Sequence, residues 1–384
     1  MNMVEDSLSK SFNPTLCLTH RCNLNCVYCY QKNKNSARMA FDIDKKCIDD
    51  MFTKIPEKVK HIEISFIGGE PLLEMQLIKN IYYYTIQNYS DDRLHFFATT
   101  NGTVLNDDDK EWFIAHKKNF ILCLSLDGTR ETHNLNRSNS YDLIDIPFFL
   151  NTCLEQGVKM TISKKSIENL AENIMSIHKL GFKSINGVSV AEGDFEWETE
   201  SDLKVLARQL DILLNYYTEN PKIQLDQMFG KHIQICLGAN KTKKKSCGMG
   251  TTTIFYDFDG KQYPCSFVTP MTFSKAEMDK ILETDFYNVD NFIDDDCNDN
   301  CFLFPVYGSC SGANYLQNHS FKKRVKTRCK MNKLIAIYIA ELHTRRILYD
   351  KELYEDSNQI YFLIESIKRI KENYYEELKE YLFD

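Results

Sequence analysis

The sequence predicts an α/β protein with a parallel sheet, followed by a small cysteine-rich region and C-terminal helices. Three observations lead to this fold class. Short apolar runs alternate with helical stretches through the first half of the 384 residues, which is typical of parallel strands joined by right-handed crossovers. Six of the fourteen cysteines then fall between Cys247 and Cys329. Apolar residues recur at helical spacing from Ile360 to Ile370, which predicts a terminal amphipathic helix.

Each predicted strand is followed by a predicted helix. The strands are Thr15–Thr19, His61–Phe66, Leu94–Thr99, Phe120–Ser125, Val158–Ser163 and Ile185–Val190. The helices are Asp44–Lys54, Leu73–Tyr89, Asp107–Lys117, Leu143–Gln156, Ile167–Leu180 and Glu200–Thr218, several of them opened by Asp, Asn or Ser in capping positions. In such an arrangement we expect the functional residues at the carboxyl ends of the strands.

Length and composition suit a large domain with smaller additions. Near Gln224 the strand–helix alternation gives way to the cysteine-rich region. We therefore predict domains at residues 12–223, 224–345 and 346–384. The apolar content of 43% supports a full core, and the formal charge of −7 gives no general attraction to nucleic acid or to an anionic membrane. Residues Met1 to Lys10 lack the apolar run of a signal peptide, and no apolar run is long enough to cross a bilayer. We therefore expect a cytoplasmic protein whose cysteines are metal ligands or core residues rather than disulfides.

The stretch from Cys17 to Gln31 carries the most specific signal in the chain. Cys22, Cys26 and Cys29 are spaced C-x3-C-x2-C, and a short loop with this spacing can place three thiolates around one iron–sulfur cubane. Such clusters otherwise take four protein ligands, so one iron is left for an outside ligand. The alternatives are a zinc knuckle, a disulfide pair or a chance arrangement, and only His20 is near enough to complete a zinc site.

Polar and glycine-rich segments follow the second, third and fourth predicted strands. They read Gly68-Gly69-Glu70-Pro71, Thr99-Thr100-Asn101-Gly102-Thr103 and Ser125-Leu126-Asp127-Gly128, and the last is followed by His133 and Arg137. Glycines let the backbone approach a ligand closely, and a carboxylate or a carbonyl can accept a hydrogen bond from an ammonium group. Taken alone, these residues would read as a turn, a helix cap and a surface arginine.

Together, these motifs resemble those of the radical S-adenosylmethionine (SAM) enzymes. The resemblance implies a partial (β/α)6 barrel of the TIM type, a 4Fe–4S cluster on Cys22, Cys26 and Cys29, and SAM chelated by the open iron. It also implies an external electron donor of the flavodoxin or ferredoxin type, whose electron splits SAM into methionine and a 5′-deoxyadenosyl radical. The SAM-binding residues that the resemblance implies are Tyr28, Gly68, Gly69, Glu70, Asn101, Ser125, Arg137 and Val188.

The cysteine-rich region resembles the SPASM domain, which holds auxiliary 4Fe–4S clusters in peptide-modifying radical SAM enzymes. Cys247 and Cys265 fit its first half, C-x12-G-x4-C, and Asp259-Gly260 between them predicts a hairpin turn. The second half departs from the family's pattern, because Phe304 and Asn314 stand where the family has cysteines.

The resemblance leaves two sets of candidate ligands for auxiliary clusters. Cys297, Cys301, Cys310 and Cys329 make a full set for one cluster, with a zinc ribbon as the alternative. Cys236, Cys247 and Cys265 are left for a second cluster, which is either lost or has an open iron. The other four cysteines, Cys17, Cys47, Cys123 and Cys153, lie on apolar faces and are expected to pack in the core.

The resemblance implies a radical SAM enzyme that modifies a ribosomally made precursor peptide, by a thioether or carbon–carbon crosslink or by epimerisation. An anaerobic sulfatase maturase, which oxidises Cys or Ser to formylglycine, is the nearest alternative. Those enzymes typically carry an Asp base where this chain has Ser266, directly after Cys265. A non-catalytic electron carrier or zinc scaffold is the alternative of another class, and it leaves Gly68–Pro71, Ser125 and Arg137 unexplained.

Overall fold

The chain folds as an α/β protein with C-terminal helices, as the alternating sequence predicts. A computed structural model describes residues 11–89, 91–153, 156–190, 199–238, 245, 247–349, 354 and 357–382. In chain order the elements are β1 (Ser11–Phe12), β2 (Thr15–Thr19), α1 (Phe41–Thr53), β3 (His61–Gly68), α2 (Met75–Asn88), β4 (Leu94–Thr100), α3 (Asp107–His116), β5 (Phe120–Ser125), α4 (Arg130–Asn136), α5 (Ile146–Thr152), β6 (Val158–Ile162), α6 (Leu170–Leu180), β7 (Ile185–Val190), α7 (Thr199–Glu219), α8 (Ile235–Gly238), β8 (Phe255–Tyr256), β9 (Gln262–Tyr263), α9 (Lys275–Leu282), α10 (Asp295–Asn300), α11 (Ser311–Asn318), α12 (Lys326–Tyr349) and α13 (Ser357–Leu378).

All six predicted strands are present, and each boundary falls within two residues of its prediction. The predicted helices are also present, and local caps explain where they begin and end. Asn106 caps α3, because its side-chain oxygen accepts a 2.9 Å hydrogen bond from the Asp109 amide. Gly181 ends α6 with a φ of 110°, a conformation that glycine adopts without a side-chain penalty. The first turn predicted for α2 is a separate 3-10 turn over Pro71–Glu74.

The first compact unit comprises residues 1–126, 133–158 and 247–287. Within it the sheet order is β5-β4-β3-β2-β8-β9, and β1 also pairs with β3. The pairs are parallel except for the antiparallel β8–β9 hairpin. Gly260 in the hairpin turn has a φ of 80°, which confirms the turn predicted at Asp259-Gly260.

The second compact unit comprises residues 127–132, 159–246 and 288–384. Here β6 and β7 are neighbours in the sheet, and α12 packs against both α7 and α13. Every residue of α12 from Leu334 to Ala340 is buried, which is the pattern of a helix covered on all sides. On α13, Leu363, Ile367 and Ile370 are buried, whereas Ile364 is 46% exposed and lies outside the buried stripe.

Two further observations bear on the organisation of the chain. Each compact unit is assembled from three separate segments, so the contiguous domain boundaries at residues 12–223, 224–345 and 346–384 stay a prediction. Among the helices in the described ranges, none has both the length and the apolar character needed to cross a bilayer.

Candidate active site

The three-cysteine loop follows β2 in the first unit. Cys22, Cys26 and Cys29 are each partly buried, and none of them forms a disulfide within the described residues. The Cys29 amide donates a 3.1 Å hydrogen bond to the Cys26 carbonyl, and the Leu24 amide donates to the Cys22 sulfur at 3.4 Å. Burial raises the pKa of the Cys22 thiol, while the Leu24 amide and the nearby Lys34 ammonium favour its thiolate. Three soft sulfur donors with an amide directed at one sulfur suit an iron–sulfur cluster.

Two glycines at the end of β3 let that strand lie directly against the cysteine loop. A side-chain carbon on Gly68 would lie 2.4 Å from the Thr19 carbonyl oxygen. One on Gly69 would lie 2.3 Å from the Arg21 carbonyl oxygen and 2.8 Å from the Cys22 Cβ. The Gly69 amide donates to the Thr19 carbonyl at 3.0 Å. The glycine pair was expected to admit a ligand, and its immediate neighbour in the structure is the backbone that carries Cys22.

The buried Glu70 side chain links the ends of β3 and β4 through hydrogen bonds. Its carboxylate accepts hydrogen bonds from the Leu72 amide at 3.1 Å, the Thr100 hydroxyl at 2.8 Å and the Asn101 amide at 2.8 Å. Burial raises the pKa of Glu70 to about 6, and these bonds and the Arg137 charge oppose that rise. Both carboxylate oxygens therefore already accept hydrogen bonds from within the protein. The Glu70 backbone amide also donates to the Arg21 carbonyl at 2.9 Å.

Asn101 joins the end of β4 to the cysteine loop. Its side-chain amide donates to the Asn23 side-chain oxygen at 2.9 Å, and Asn23 in turn donates to the Thr103 hydroxyl at 2.7 Å. The sequence points to Asn101 but not to Asn23, which lies between the cysteines at a position where the spacing motif accepts any residue. Its role emerges only when residues separated by 78 positions meet.

The cysteine loop also contacts the segment after β5. The Arg137 guanidinium lies 5.4 Å from the centroid of the Tyr28 ring, within the range of a cation–π interaction. The Val27 amide donates to the Asn136 carbonyl at 3.0 Å. Ser125 ends β5 and is buried. The structure thus brings Tyr28, Arg137 and the cysteines to one region of the first unit, as the resemblance implies.

His20 lies beside the cysteine loop and is hydrogen-bonded through both ring nitrogens. Its Nε2 lies 2.7 Å from an Asp257 carboxylate oxygen, and its Nδ1 lies 3.1 Å from the Asn35 amide nitrogen. The Asn35 oxygen accepts from the Ala37 amide at 2.8 Å, which fixes the amide orientation and assigns the His20 proton to Nε2. The ligand atoms of His20, Asp257 and Cys17 all lie within 4.8 Å of one another, close enough to hold a metal ion. Cys17 is fully buried beside this pair, and burial raises the pKa of its thiol.

Four of the C-terminal cysteines lie in the second unit. Cys297 is on α10, Cys301 follows it, and Cys329 is on α12. Burial raises the pKa of Cys297 and of Cys329, and the Arg324 guanidinium opposes that rise at both thiols. The nearby Cys301 thiol also raises the pKa of both Cys297 and Cys329, and Cys329 raises that of Cys297. Cys310 caps α11, because its sulfur accepts from the Ala313 amide at 3.4 Å.

The remaining candidate ligands are divided between the units. Cys236 is buried in the second unit, where burial and then the nearby Cys301 raise the pKa of its thiol to about 12. Cys247 and Cys265 belong to the first unit, with Cys247 exposed and Cys265 partly buried. A shared cluster of these three cysteines stays a prediction. The packing residues Cys17, Cys47, Cys123 and Cys153 are all buried, as expected.

Asn314 and Phe304, which stand at family cysteine positions, have their own contacts. The Asn314 side-chain nitrogen donates to the Ser309 hydroxyl and to the Phe321 carbonyl, both at 3.0 Å. The Phe304 ring lies 5.1 Å from the Arg324 guanidinium. Val188 is buried on β7 in the second unit, and its contact with SAM stays a prediction.

Comparisons with known proteins bear on this arrangement. Residues 16–206 match the model of the radical SAM superfamily. The chain belongs to the radical SAM superfamily. It is therefore an enzyme, and its cofactors are a 4Fe–4S cluster and SAM.

Two curated relatives overlap this domain. An uncharacterized protein of Methanocaldococcus jannaschii is 30% identical over 175 residues, which are 44% of this chain and 59% of the relative. The chain thus spans less than two thirds of that relative. A cysteine-type anaerobic sulfatase-maturating enzyme of Clostridium perfringens is 24% identical over 272 residues, which are 64% of this chain and 71% of the enzyme.

Two solved structures share the radical SAM fold of this chain. Native anSMEcpe with bound AdoMet and Cp18Cys peptide has a TM-score of 0.65 at 17% identity, covering 88% of this chain and 99% of that one. Streptococcus suis SuiB bound to precursor peptide SuiA has a TM-score of 0.54 at 16% identity, covering 83% of this chain and 76% of that one. At these identities the similarity establishes the fold alone.

Proposed function

We propose that this radical SAM enzyme modifies a peptide, most directly a ribosomally made precursor, by removing a hydrogen atom from a substrate carbon. The single observation that carries the proposal is the cysteine loop held against Gly69, Asn101 and Arg137. Support for a peptide substrate comes from the similarity to SuiB bound to a precursor peptide and to anSMEcpe bound to a peptide. A thioether or carbon–carbon crosslink is the proposed outcome.

In this proposal Cys22, Cys26 and Cys29 hold the radical SAM cluster. When bound, the cluster and SAM supply a 5′-deoxyadenosyl radical, with the electron coming from a flavodoxin- or ferredoxin-type protein. Arg137 binds the SAM carboxylate, which a guanidinium recognises through charge-assisted hydrogen bonds. Tyr28 packs beside Arg137, which restricts the rotamers of both side chains.

The other proposed SAM-site residues shape the backbone around the loop or offer a side-chain group to SAM. Gly68 and Gly69 keep β3 close to the loop, Glu70 orients the Asn101 amide, and Ser125 presents a hydroxyl at the end of β5. Val188 remains a proposed adenine contact on β7. We also propose that Cys297, Cys301, Cys310 and Cys329 hold an auxiliary cluster.

Hydrogen abstraction is tested directly by isotope transfer. Anaerobically reconstituted enzyme is mixed with SAM, a reductant and a deuterated synthetic copy of a candidate precursor peptide. Deuterium should appear in the 5′-deoxyadenosine, and the peptide should lose mass with the formation of a crosslink. Cys153→Ala, which changes a core cysteine, serves as the matched control and should behave like the wild type. Release of 5′-deoxyadenosine without deuterium, from an unchanged peptide, would refute the proposal.

A second candidate function is formylglycine formation on a sulfatase. It is favoured by the 24% identity over 71% of the C. perfringens sulfatase-maturating enzyme. Against it, Ser266 follows Cys265 where sulfatase maturases typically have an aspartate base, and a serine hydroxyl accepts a proton poorly without a partner. A sulfatase-derived peptide with a cysteine at the modified position separates the two functions, since only a maturase converts that cysteine to an aldehyde.

A further inference from the structure

A cavity of about 220 Å³ lies wholly within the second unit. Its walls include the ends of β6 and β7 and residues near the start of α12. Three cationic side chains line it, from Lys231, Arg324 and Arg328, and none of the lining residues that the structure describes is a carboxylate. Apolar residues such as Val188 and Met228 make up much of the remaining wall, which also includes the Cys310 and Cys329 side chains proposed to hold the auxiliary cluster. A cavity that combines apolar walls with one sign of charge favours an amphipathic ligand of the opposite charge.

The cation that distinguishes this cavity is Lys231. Arg324 is already engaged, because it donates to the Tyr307 carbonyl at 3.0 Å and lies beside the Cys297 and Cys329 thiols. Lys231 has no carboxylate partner within the part of the chain that the structure describes, and its ammonium lies 5.8 Å from the Tyr307 ring. Burial lowers the pKa of Lys231. A partly buried cation without a counter-charge is costly, and binding an anion would offset that cost.

Tyr307 supplies a second, independent observation. It lines the cavity and is 8% exposed, and its hydroxyl has no hydrogen-bond partner among the described residues. Buried hydroxyls are nearly always hydrogen-bonded in folded proteins, so an exception indicates a missing ligand or water. Burial raises the pKa of Tyr307. The hydroxyl therefore keeps its proton and can donate a hydrogen bond.

We propose that this cavity binds a carboxylate group of the peptide substrate, with the Lys231 ammonium and the Tyr307 hydroxyl as donors. The inference rests on the proposed peptide-modifying function and adds a recognition element to it. One unengaged cation and one neutral donor match a singly charged carboxylate better than a phosphate, which carries more charge and more acceptor oxygens. The apolar walls accommodate the methylene groups that carry such a carboxylate. The carboxylate comes either from an Asp or Glu side chain or from the end of the peptide.

A peptide-binding selection on the holoenzyme tests the proposal. Two random heptapeptide libraries, one with free and one with amidated C-termini, are passed over immobilised, anaerobically reconstituted enzyme with SAM bound. The retained peptides are then sequenced. We expect about tenfold enrichment of peptides with Asp or Glu in both libraries if a side chain is recognised, or of the free-terminus library alone if the chain end is recognised.

Charge reversal at Lys231 gives the decisive comparison. Lys231→Glu should abolish the acidic enrichment, and Tyr307→Phe should reduce it. Lys222→Glu, which changes an exposed lysine of the same unit, should leave it unchanged. Iron content is measured for every variant, because a loss of iron in Lys231→Glu would show that this cation serves the auxiliary cluster and would overturn the proposal.

The outcomes separate this inference from the proposed function. Retention of peptides without acidic preference, or with a preference that Lys231→Glu does not change, overturns the carboxylate site and leaves the peptide substrate standing. Retention of no peptide from either library overturns both proposals.

Discussion

The two cysteine-rich regions of this enzyme differ in how their surroundings are built. In the first unit, the loop from Cys22 to Cys29 is held by backbone hydrogen bonds, by two glycines and by the Asn101–Asn23 pair. In the second unit, Cys297 on α10 and Cys329 on α12 lie beside one guanidinium, that of Arg324, and Cys310 caps α11. The first region gathers its cysteines within eight residues and surrounds them with fixed partners. The second depends on how three helical segments pack, so a short spacing motif describes it poorly.

The sharpest test of this difference removes all three cysteines of the loop in the first unit. Replacing Cys22, Cys26 and Cys29 together by Ala should abolish reductive SAM cleavage, because no other thiols of the first unit share that loop. Production of 5′-deoxyadenosine is the measurement, and Cys123→Ala, at a buried strand position, is the control. Clusters in the second unit should survive in the triple variant. If that variant still makes 5′-deoxyadenosine, the assignment of these residues is wrong.

A smaller change should damage the same loop without touching a thiol. Gly69→Ala would force a side-chain carbon to within 2.3 Å of the Arg21 carbonyl, and backbone cannot move aside as a flexible side chain can. We expect the SAM-dependent change in the EPR signal of the reduced cluster to be mostly lost. Gly187→Ala is the control, since its new carbon would meet the flexible Lys159 side chain at 2.9 Å. An intact EPR response in Gly69→Ala would show that the loop adapts to the added carbon.

The iron content of the purified enzyme tests how many clusters the C-terminal cysteines hold. One radical SAM cluster and one auxiliary cluster give about eight irons per chain, and Cys301→Ala should lower that count to about four. The combined Cys247→Ala and Cys265→Ala variant should keep about eight, because Asn314 at a family cysteine position already uses its amide on Ser309 and Phe321. A wild-type count near twelve, reduced in the double variant, would instead support a second auxiliary cluster with an open iron.

SAM affinity gives a smaller effect in the first region. Arg137→Ala should weaken SAM binding by about 1.5–3 kcal/mol, or roughly tenfold to more than a hundredfold, through loss of a charge-assisted pair. Isothermal calorimetry on the reconstituted enzyme measures this change. Arg93→Ala, which removes a surface arginine paired with Asp91, is the control. Unchanged affinity would remove Arg137 from the site.

The smallest expected effect is the pH dependence that Glu70 contributes. Burial raises its pKa to about 6 from 4.5, so the folded state holds the proton more tightly than the unfolded state. The stability that this provides is full below pH 4.5 and is lost as the pH rises through 6. As the pH rises through this range, the free energy of unfolding of Glu70→Gln should increase by about 2 kcal/mol relative to that of the wild type. Thermal unfolding across this range measures the change, with exposed Glu57→Gln as the control, and parallel curves would contradict it.

The sequence was most informative where the chemistry is local. The strand–helix alternation predicted the sheet, because burial on parallel strands and helices leaves a strong periodic pattern. Motifs after the strands predicted Asn101 and Arg137, because parallel strands deliver their carboxyl ends to one edge. Sequence spacing could not reveal Asn23, which bonds to a residue 78 positions away. Nor could it reveal Lys231, which has no carboxylate partner among the residues that the structure describes, a property of packing rather than of local sequence.

The His20–Asp257 contact has a consequence for how this protein is made. The two residues are 237 positions apart, and β8 must pair with β2 to bring them together. At a synthesis rate of about 5–20 residues per second, roughly 12 to 50 seconds separate their emergence from the ribosome. During that interval the cysteine loop lacks its histidine anchor and one edge of β2 has no neighbouring strand. Thiol labelling of stalled nascent chains that end before or after residue 257 would show the loop becoming protected late in synthesis. We therefore expect iron to be loaded at this loop only after the segment around Asp257 has been made.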